Sequence, residues 1–465
     1  MSDDPSKTLR AVDDMRENWA IVDPLMGGTS DMRRAGTALL PKWPDEQHDA
    51  YDVRLKQSTL LPAYSETVKN NTGRVFAEPL VLGADVPEAI QGFAQDIDRQ
   101  GNNLQVWAQS FFATALSHGL CHVLVEYPKT VDEQGKPIIV TKADEIKAKV
   151  RPYAVMIRPQ QVIGWRSTGE GGQTILTQFR YMESVDEDEG EFGVKSIDQI
   201  RVLWPGRWAT YRKGKEKEAG KEAWLLYDEG STSISSIALV TYYTHRTGFM
   251  TAKPPLLELA HLNVKHWQSQ SDQDNILHVA RVPMLAIVGI EDDTWELKVG
   301  TASATKLPRE GDMKWVEHTG KSIDAGRTSL QDLEDQMRIA GAKLLQKDKQ
   351  VTKTATQAEE EAAQEMSPLE TMAGQLEDAL DQMLQLFALY IGQPEGGHIQ
   401  VNGNFDVDFA PETTLPLLLN MAAQGRLSDQ TLFAEYQRRG VVSTDLKWDE
   451  EKQKIADQGP ALGAL

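Results

Sequence analysis

Two histidines and the single cysteine of the chain are the residues whose types and spacing most resemble a reactive site. The segment His118-Gly-Leu-Cys-His122 places two imidazoles one helical turn apart, with a thiol beside them. That spacing can chelate a metal ion. However, no glutamate follows the first histidine as a zinc peptidase would require, and the neighbouring residues are apolar. The sequence therefore favours two histidines that pack within a helix.

Other short segments resemble ligand-binding loops only in part. Asp186-Glu-Asp-Glu-Gly190 lacks the later ligands and the closing glutamate of a calcium loop, so it predicts a solvated hairpin tip. Gly169-Glu-Gly-Gly172 precedes neither Lys-Ser nor Lys-Thr, so it predicts a hairpin loop and not a phosphate site. The chain also lacks a Walker A sequence and a Gly-x-Ser-x-Gly elbow. We therefore expect no catalysis, no cofactor and no bound metal.

Composition limits the class of protein further. The net charge of −20 argues against a protein that coats DNA with a generally basic surface. It leaves open a channel through which DNA slides, where a few local cations would suffice. One cysteine excludes an intrachain disulfide and paired-cysteine zinc sites. We find no signal-peptide pattern at the start and no apolar run of about twenty residues, so we expect a cytoplasmic product that does not enter a membrane.

The strongest pattern lies from Asp324 to Ile391, where two helical stretches flank a basic, threonine-rich interruption. Apolar residues recur at spacings of three and four in both stretches, which predicts one apolar stripe along each helix. The first stripe is Leu330, Leu333, Met337, Ala340 and Leu344; the second is Leu369, Met372, Leu376, Ala379, Met383, Phe387 and Tyr390. The interruption carries Lys347, Lys349 and Lys353, so it predicts an exposed basic loop.

Two capping boxes follow this loop, Thr356 with Glu359 and Ser367 with Glu370. The segment to Ile391 is therefore either two helices or one helix with a kink near Pro368, and we favour the kink.

The rest of the chain predicts an α+β protein. Leu104 to Val125 is typical of one core helix, and the pattern changes to a period of two from about 137 to 244, which indicates antiparallel strands. A helix from Pro254 to about 281 has a second half, Ser269 to Asn275, that is polar on all sides. We expect that half to pack laterally in an assembly, with a wet face, because it is unsuited to burial in a monomer.

The order of these elements is similar to that of the portal proteins of tailed bacteriophages. More narrowly, several segments resemble the portal-type family described as domain of unknown function 4055. These segments are Leu307-Pro-Arg-Glu-Gly311, Val316-Glu-His-Thr-Gly320, Leu333-Glu334 through Gly341-Ala-Lys-Leu-Leu345, Thr354-Ala-Thr356, Ser367-Pro-Leu369 and Leu376-Glu-Asp-Ala-Leu380. The motifs are structural and not catalytic.

The resemblance implies a portal-like fold with the following parts. They are an N-terminal arm at 1–50, a wing of helices and antiparallel strands at 51–253, stem helices at 254–281 and 324–347, a small β clip at 282–323, a tunnel loop at 348–356, a kinked wing helix with a β segment at 357–411, and a helical crown at 412–465. On residue patterns alone, the N-terminal arm is equally compatible with wrapping a neighbour and with forming a domain edge.

The resemblance also implies a function and partners. The chain would form a ring of about twelve copies at one capsid vertex of the virion, after synthesis in the bacterial host cytoplasm. Double-stranded DNA would pass through the ring during packaging and ejection, without sequence specificity. Terminase, neck adaptor proteins, the major capsid protein and scaffold would be its partners. Lys347, Lys349 and Lys353 would face DNA in the tunnel loop, and Glu291, Asp292, Asp293 and Trp295 would lie on the clip.

Two other classes of protein remain open on the sequence. A head–tail adaptor, or another ring-forming virion structural protein, would share the helices and the acidity but would not need a β module between two long helices. A soluble enzyme with a site around His118, Cys121 and His122 is the less favoured alternative.

Overall fold

A computed structural model describes residues 4–128, 150–215, 222–281, 284–288, 312–316, 321–346, 366–405, 411–438, 441–443 and 446–457. The chain divides into two compact units, Met1–Gly403 and Asn404–Leu465. The first unit contains helices and antiparallel sheets, as the α+β prediction requires.

The N-terminal part of the first unit is mainly helical. Its helices are α1 (Arg10–Gly27), α2 (Thr29–Ala35), α3 (His48–Gln57), α4 (Ala63–Val75), α5 (Glu88–Phe93) and α6 (Leu104–His118). Helix α1 buries Val12, Met15, Trp19, Val22 and Leu25, which recur at helical spacing. Much of the segment predicted as an arm therefore contributes to the core of its own chain.

Helix α6 is shorter than the sequence predicted. Asn103 caps its first turn by accepting a hydrogen bond from the Val106 amide, and Gly119 ends it with a φ of 97°. A Cβ at Gly119 would lie 2.5 Å from the Lys253 carbonyl oxygen, so only glycine fits there. The chain continues as strand β2 (Leu120–Glu126). The prediction of one helix from 104 to 125 was wrong, because a fully buried strand has no alternating pattern that would reveal it.

Two antiparallel sheets form the middle of the unit. Strands β3 (Tyr153–Ile157) and β9 (Leu239–Tyr243) flank β2 in a three-stranded sheet. The five-stranded sheet follows chain order through β4 (Val162–Glu170), β5 (Gln173–Glu189), β6 (Gly193–Trp204), β7 (Arg207–Lys215) and β8 (Glu222–Ser231). Side chains of α1 pack with those of both sheets in one apolar core that includes Trp19, Leu124, Phe179 and Leu203.

The larger sheet confirms the hairpin loop predicted at 169–172, whereas the tip predicted at 186–190 begins only at Gly190, because 186–189 are paired residues of β5. Gly171 and Gly172, both with positive φ, join β4 to β5. Gly190, with a φ of 75°, begins the turn from β5 to β6. Short strands complete the unit: β1 (Val81–Leu82) pairs with β14 (Ile399–Gln400), and β10 (Arg246–Gly248) pairs with β11 (Thr251–Ala252).

Three long helices follow in the chain. They are α7 (Leu257–Ala280), α8 (Lys321–Ala342) and α9 (Pro368–Ile391), and the hairpin of β12 (Met284–Val288) and β13 (Asp312–Val316) lies between α7 and α8 in sequence. Helix α9 buries its predicted stripe from Leu369 to Phe387 and ends at Gly392, which has a φ of 71°.

The prediction of one kinked helix through Pro368 was wrong. Ser367 has extended backbone angles and caps a helix that begins at Pro368. Its hydroxyl accepts from the Glu370 amide at 3.2 Å, and the Glu370 carboxylate accepts from the Ser367 amide at 3.3 Å. The capping box satisfies both amides and stabilises a new helix start, so Met366 and Ser367 are not helical.

The second unit contains three short helices, α10 (Pro411–Ala423), α11 (Asp429–Arg438) and α12 (Trp448–Asp457). The rings of Phe433 on α11 and Trp448 on α12 lie 5.4 Å apart. None of the side chains whose burial is described in this unit is fully buried, and Leu417, Leu419 and Ile455 are exposed. The unit therefore has little hydrophobic core of its own in the part of the chain that is described.

Candidate functional site

The segment from α7 to α8 is the candidate functional site, because it contains two long helices with a β hairpin inserted between them. Helix α7 begins after Pro254-Pro255, whose missing amides suit a first turn. At 1.5 Å per residue, its 24 residues extend about 36 Å. Helix α8 has 22 residues. Both are longer than the roughly twelve residues of an average helix in a globular protein.

Helices α7 and α8 pack against each other in antiparallel orientation. Near the end of α7, the Gln273 amide donates to the Ile323 carbonyl at 3.0 Å. At the middle of the pair, His266 Nε2 lies 3.6 Å from Glu334 Oε1. Near the start of α7, a Cβ at Gly341 would lie 3.7 Å from the Leu259 side chain. From one contact to the next, the residue number falls along α7 and rises along α8. The two helices therefore form one antiparallel pair.

Strands β12 and β13 pair antiparallel through five residues each, from Met284 opposite Val316 to Val288 opposite Asp312. The hairpin therefore begins four residues after α7 ends and finishes five residues before α8 begins. The predicted clip residues Glu291, Asp292, Asp293 and Trp295 lie outside the described residues. Their role on the clip stays a prediction.

The polar half of α7 is hydrogen-bonded within its own chain. Gln268 donates to the Leu39 carbonyl at 2.9 Å, the Ser58 hydroxyl donates to Ser271 at 2.9 Å, and the Trp43 indole donates to Asp272 at 3.2 Å. Ser271 and Gln273 are buried. Part of this half is therefore enclosed within its own chain, because the segment between α2 and α4 satisfies its polar groups, whereas Asp272 and Asp274 are exposed. Lateral packing of this half in an assembly stays a prediction.

An ion pair holds this segment in place. Arg54 on α3 donates two hydrogen bonds to the Glu46 carboxylate, at 2.7 and 2.8 Å, and one to the Pro41 carbonyl at 2.9 Å. Both side chains are almost fully buried, and the guanidinium lies 4.1 Å from the centre of the Trp43 ring. The hydrogen bond from Arg54 holds the pKa of Glu46 below its usual range. The bidentate geometry fixes the backbone turn that presents Trp43 to Asp272.

Helix α8 differs because only one stripe of it is buried. The residues of the predicted stripe, Leu330, Leu333, Met337, Ala340 and Leu344, are all buried. On its exposed surface, Arg338 pairs with Asp335 at 2.8 Å and Arg327 pairs with Asp324 at 3.6 Å, each one helical turn apart. Each arginine is thus neutralised by its own helix, and the exposed Asp332 and Glu334 leave this surface with more acids than cations.

The predicted tunnel loop, 348–356 with Lys347 beside it, lies outside the described residues. The proposed role of Lys347, Lys349 and Lys353 stays a prediction. The described chain ends at Gln346, directly after the last turn of α8, and resumes at Met366, directly before α9. The three lysines are thus in the connection between those two helices.

The possible metal-binding residues are separated in the structure. His118 Nε2 lies 2.8 Å from Asp23 Oδ1, whereas His122 Nδ1 lies 2.9 Å from the Thr241 hydroxyl. Burial lowers the pKa of His122 to about 3 and raises the pKa of Cys121. Because His118 ends a helix and His122 lies on a strand, the two imidazoles do not share one helix face. Within the described ranges, no group of three histidine, cysteine or carboxylate side chains could hold a metal ion.

Residues 255–391 match the model of a family described as "Domain of unknown function (DUF4055)". The match spans α7, the β12–β13 hairpin, α8 and α9, and it contains all the segments that carried the resemblance in the sequence. It confirms the resemblance to that family over this range, and the description names no function. No curated protein matches the sequence at a significant level.

Several solved structures resemble the chain. One described as "Neck of empty GTA particle computed with C6 symmetry" is 13% identical, with a TM-score of 0.38 over 79% of this chain and 88% of the other. Another, "Virion of native gene transfer agent (GTA) particle", is 12% identical, with a TM-score of 0.38 over 87% and 97%. None of the described helices is long and apolar enough to cross a membrane.

Proposed function

We propose that this chain is a phage-type portal protein, which assembles into a ring of about twelve copies at one vertex of a virion and forms a channel for duplex DNA. The observation that carries the proposal is the antiparallel pair of α7 and α8 with a β hairpin between them. In a ring, such pairs would stand side by side around the axis as the stem. The hairpin at their connected ends would form the clip, where terminase and later the neck adaptors dock.

The charge distribution on α8 supports a channel through which DNA slides. A surface with many free cations would bind phosphates strongly and slow the polymer. Arg327 and Arg338 are instead paired with aspartates of the same helix. The chain as a whole carries a net charge of −20. Both features favour weak contact with DNA over most of the channel.

Electron microscopy of the purified protein tests the proposal. We expect closed rings of about twelve subunits, viewed down the symmetry axis, with a central hole wide enough for duplex DNA, which is about 20 Å across. A homogeneous population of closed dimers with twofold symmetry would overturn it. Rings without a stem and clip at one end would favour the head–tail adaptor, which does not need the inserted hairpin.

The tunnel-loop lysines give a second test of the channel. Reversal of Lys347, Lys349 and Lys353 to glutamate would place a ring of negative charge near DNA phosphates. We expect less DNA packaged or retained, with rings of normal size. Lys56→Glu is the matched control, since Lys56 is an exposed lysine on α3. Loss of rings in the triple variant would contradict the assignment of these residues to a tunnel loop.

The predicted clip residues can be tested in the same particles. We expect Trp295→Ala together with charge reversal at Glu291, Asp292 and Asp293 to weaken terminase binding while the rings still form. The measurement is co-sedimentation of purified terminase with rings. Unchanged binding would move the docking surface away from these four residues.

A further inference from the structure

Two strand pairs of the five-stranded sheet project beyond its shared body at the same end. Strand β5 pairs with β4 only as far as Tyr181, and β6 pairs with β7 only between Gln199 and Trp204. Six further pairs join β5 to β6, from Ser184 opposite Asp198 to Glu189 opposite Gly193. We name this projecting β5–β6 hairpin, residues 184–198, the acidic ribbon. Strands β7 and β8 likewise continue past β6, and we name residues 212–215 with 222–227 the basic ribbon.

The acidic ribbon exposes negative charge together with apolar side chains. Its exposed acids Asp186, Asp188, Glu189 and Glu191 outnumber its one exposed cation, Lys195, and form no ion pair with a cation in the described part of the chain. At the tip, Phe192 is 92% exposed and Val194 is 64% exposed. An aromatic residue on a tight turn is a rigid apolar anchor, and nothing described in this chain covers it.

The basic ribbon has the complementary character. Lys213 and Lys215 are exposed, and Lys213 lies 5.5 Å from the centre of the Trp224 ring. The ribbon also carries one exposed acid, Glu222, opposite Lys215 in the strand pair, so its described cations outnumber its acids. The outer strand, β8, exposes Leu226 to 53% and Tyr227 to 58%, and it is an edge strand of the sheet. On the basic ribbon, cations therefore lie beside exposed apolar and aromatic side chains. On the acidic ribbon, carboxylates lie beside exposed apolar and aromatic side chains.

Contacts within one copy do not explain these surfaces. Glu187 and Arg212 form an ion pair between the two ribbons, and Arg212 also lies 3.6 Å from the centre of the Tyr227 ring. Arg212 is thereby used internally, whereas Lys213, Lys215 and the acids of the tip remain exposed. A two-stranded hairpin that projects into water is marginally stable by itself. A partner that covers the apolar tip would stabilise it.

We propose that the acidic ribbon of one copy docks on the basic ribbon of the neighbouring copy. A second copy fits because one chain carries both charges and both apolar surfaces. A contact between two different surfaces of identical chains is heterologous, and it closes a ring when the rotation between copies allows. The inference rests on the proposed ring and names one contact that joins its subunits.

Charge swapping tests this contact. Reversal of Glu189 and Glu191 to lysine places like charges opposite each other, and so does reversal of Lys213 and Lys215 to glutamate. We expect each double reversal to raise the protein concentration needed for half-assembly by about tenfold or more. The fourfold variant with both reversals restores opposite charges and should assemble again. Mass photometry across a concentration series measures the effect.

Controls separate this contact from folding and from the ring itself. Glu78→Lys reverses an exposed acid outside both ribbons and should assemble normally. Phe192→Ser should weaken assembly without changing the unfolding midpoint of the unassembled chain, measured below the assembly concentration, because the side chain is exposed in one copy. If the wild type and both double reversals assemble equally well, the ribbon contact is overturned and the proposed function still stands. Failure of the fourfold variant to recover would also overturn it. A wild-type protein that forms no oligomer would overturn both.

Discussion

The two long helices α7 and α8 pack against each other, yet the chain uses their surfaces differently. Helix α7 contacts α1, α3 and α4 as well as α8. Its polar half is hydrogen-bonded to the segment between α2 and α4. Helix α8 buries one stripe and exposes the rest, including Ile339 at 61%. Helix α7, which has no clear apolar stripe, is therefore packed against more elements of its own chain. Helix α8, which is amphipathic, exposes a surface that other molecules can contact.

The largest effect that this comparison predicts is at Trp267, which is fully buried on α7. Trp267→Ala removes a large side chain from a site that cannot fully collapse, so we expect a loss of about 3–5 kcal/mol in the free energy of unfolding. Ile339→Ala on the exposed side of α8 should change it by about 0.5 kcal/mol or less. Urea midpoints followed by circular dichroism measure both variants. Equal losses would contradict the difference between the helices.

A smaller effect is expected where the N-terminal segment holds α7. Arg54→Met leaves the buried Glu46 carboxylate without two hydrogen bonds, which should cost about 1–3 kcal/mol. Adding Glu46→Leu should recover part of that loss, because no unpaired charge remains. Hydrogen exchange at residues 268–273 should rise in the single variant. The control Arg338→Met breaks an exposed ion pair on α8. An equal rise in hydrogen exchange at residues 268–273 in this control would indicate that the whole chain is loosened.

The pair of His266 and Glu334 gives a pH-dependent test of the contact between the helices. Burial lowers the pKa of His266, and Glu334 opposes that shift. A histidine whose folded pKa is depressed contributes stability above its unfolded pKa of about 6.5, and that stability is lost as the pH falls through this value. Glu334→Gln removes the opposing charge, so the variant should lose more stability on acidification than the wild type.

The matched variant for this titration is His266→Asn, which removes the ionisable group. Unfolding midpoints at pH 7.5 and 5.5 should show the steepest loss for Glu334→Gln, an intermediate loss for the wild type and the smallest loss for His266→Asn. Because Glu334 is about half exposed, its own contribution is about 0.5 kcal/mol or less. A wild type that gains stability on acidification, relative to His266→Asn, would contradict the sign.

The buried stripes of α8 and α9 could be predicted from the sequence because each helix has one apolar side with a period near 3.6. The burial of Ser271 and Gln273 on α7 was missed because the residues that contact this part of the helix, Leu39, Trp43 and Ser58, lie more than 200 residues away in the chain. Two of these three contacts use the carbonyl of Leu39 or the indole of Trp43, neither of which forms a pattern along the sequence. Distant hydrogen bonds of this kind cannot be inferred from spacing.

The boundary between α6 and β2 shows a different limit of sequence interpretation. Residues on both sides of Gly119 are buried, the polar Ser117, His118 and His122 as well as their apolar neighbours, so no alternation of residue types could distinguish a helix from a strand. Gly119 itself was the available signal, as a glycine that ends a helix. The two ribbons were also missed as surfaces, since exposure at Phe192 follows from the lengths of strands and not from residue types. The predicted loop and clip residues stay predictions.

The smallest effect on stability is expected on the exposed surface of α8, where the two aspartate–arginine pairs are. Asp324→Asn with Asp335→Asn frees Arg327 and Arg338, and exposed pairs of this kind contribute about 0.5 kcal/mol or less each. If this surface faces DNA, the freed cations should increase the affinity of the rings for duplex DNA and steepen its dependence on salt.

Asp31→Asn is the control for this last variant, because Asp31 pairs with Arg34 on α2 at 2.8 Å, as Asp335 pairs with Arg338, and also one helical turn apart. It removes one acid where the variant removes two, so the effects are compared per charge removed. Electrophoretic mobility of a duplex across a salt series compares the two. An increase in affinity for the α8 variant alone would place this surface near DNA. Equal increases in DNA affinity per charge removed would mean that net charge, and not position, controls binding. That result would contradict the assignment of α8 to the channel wall.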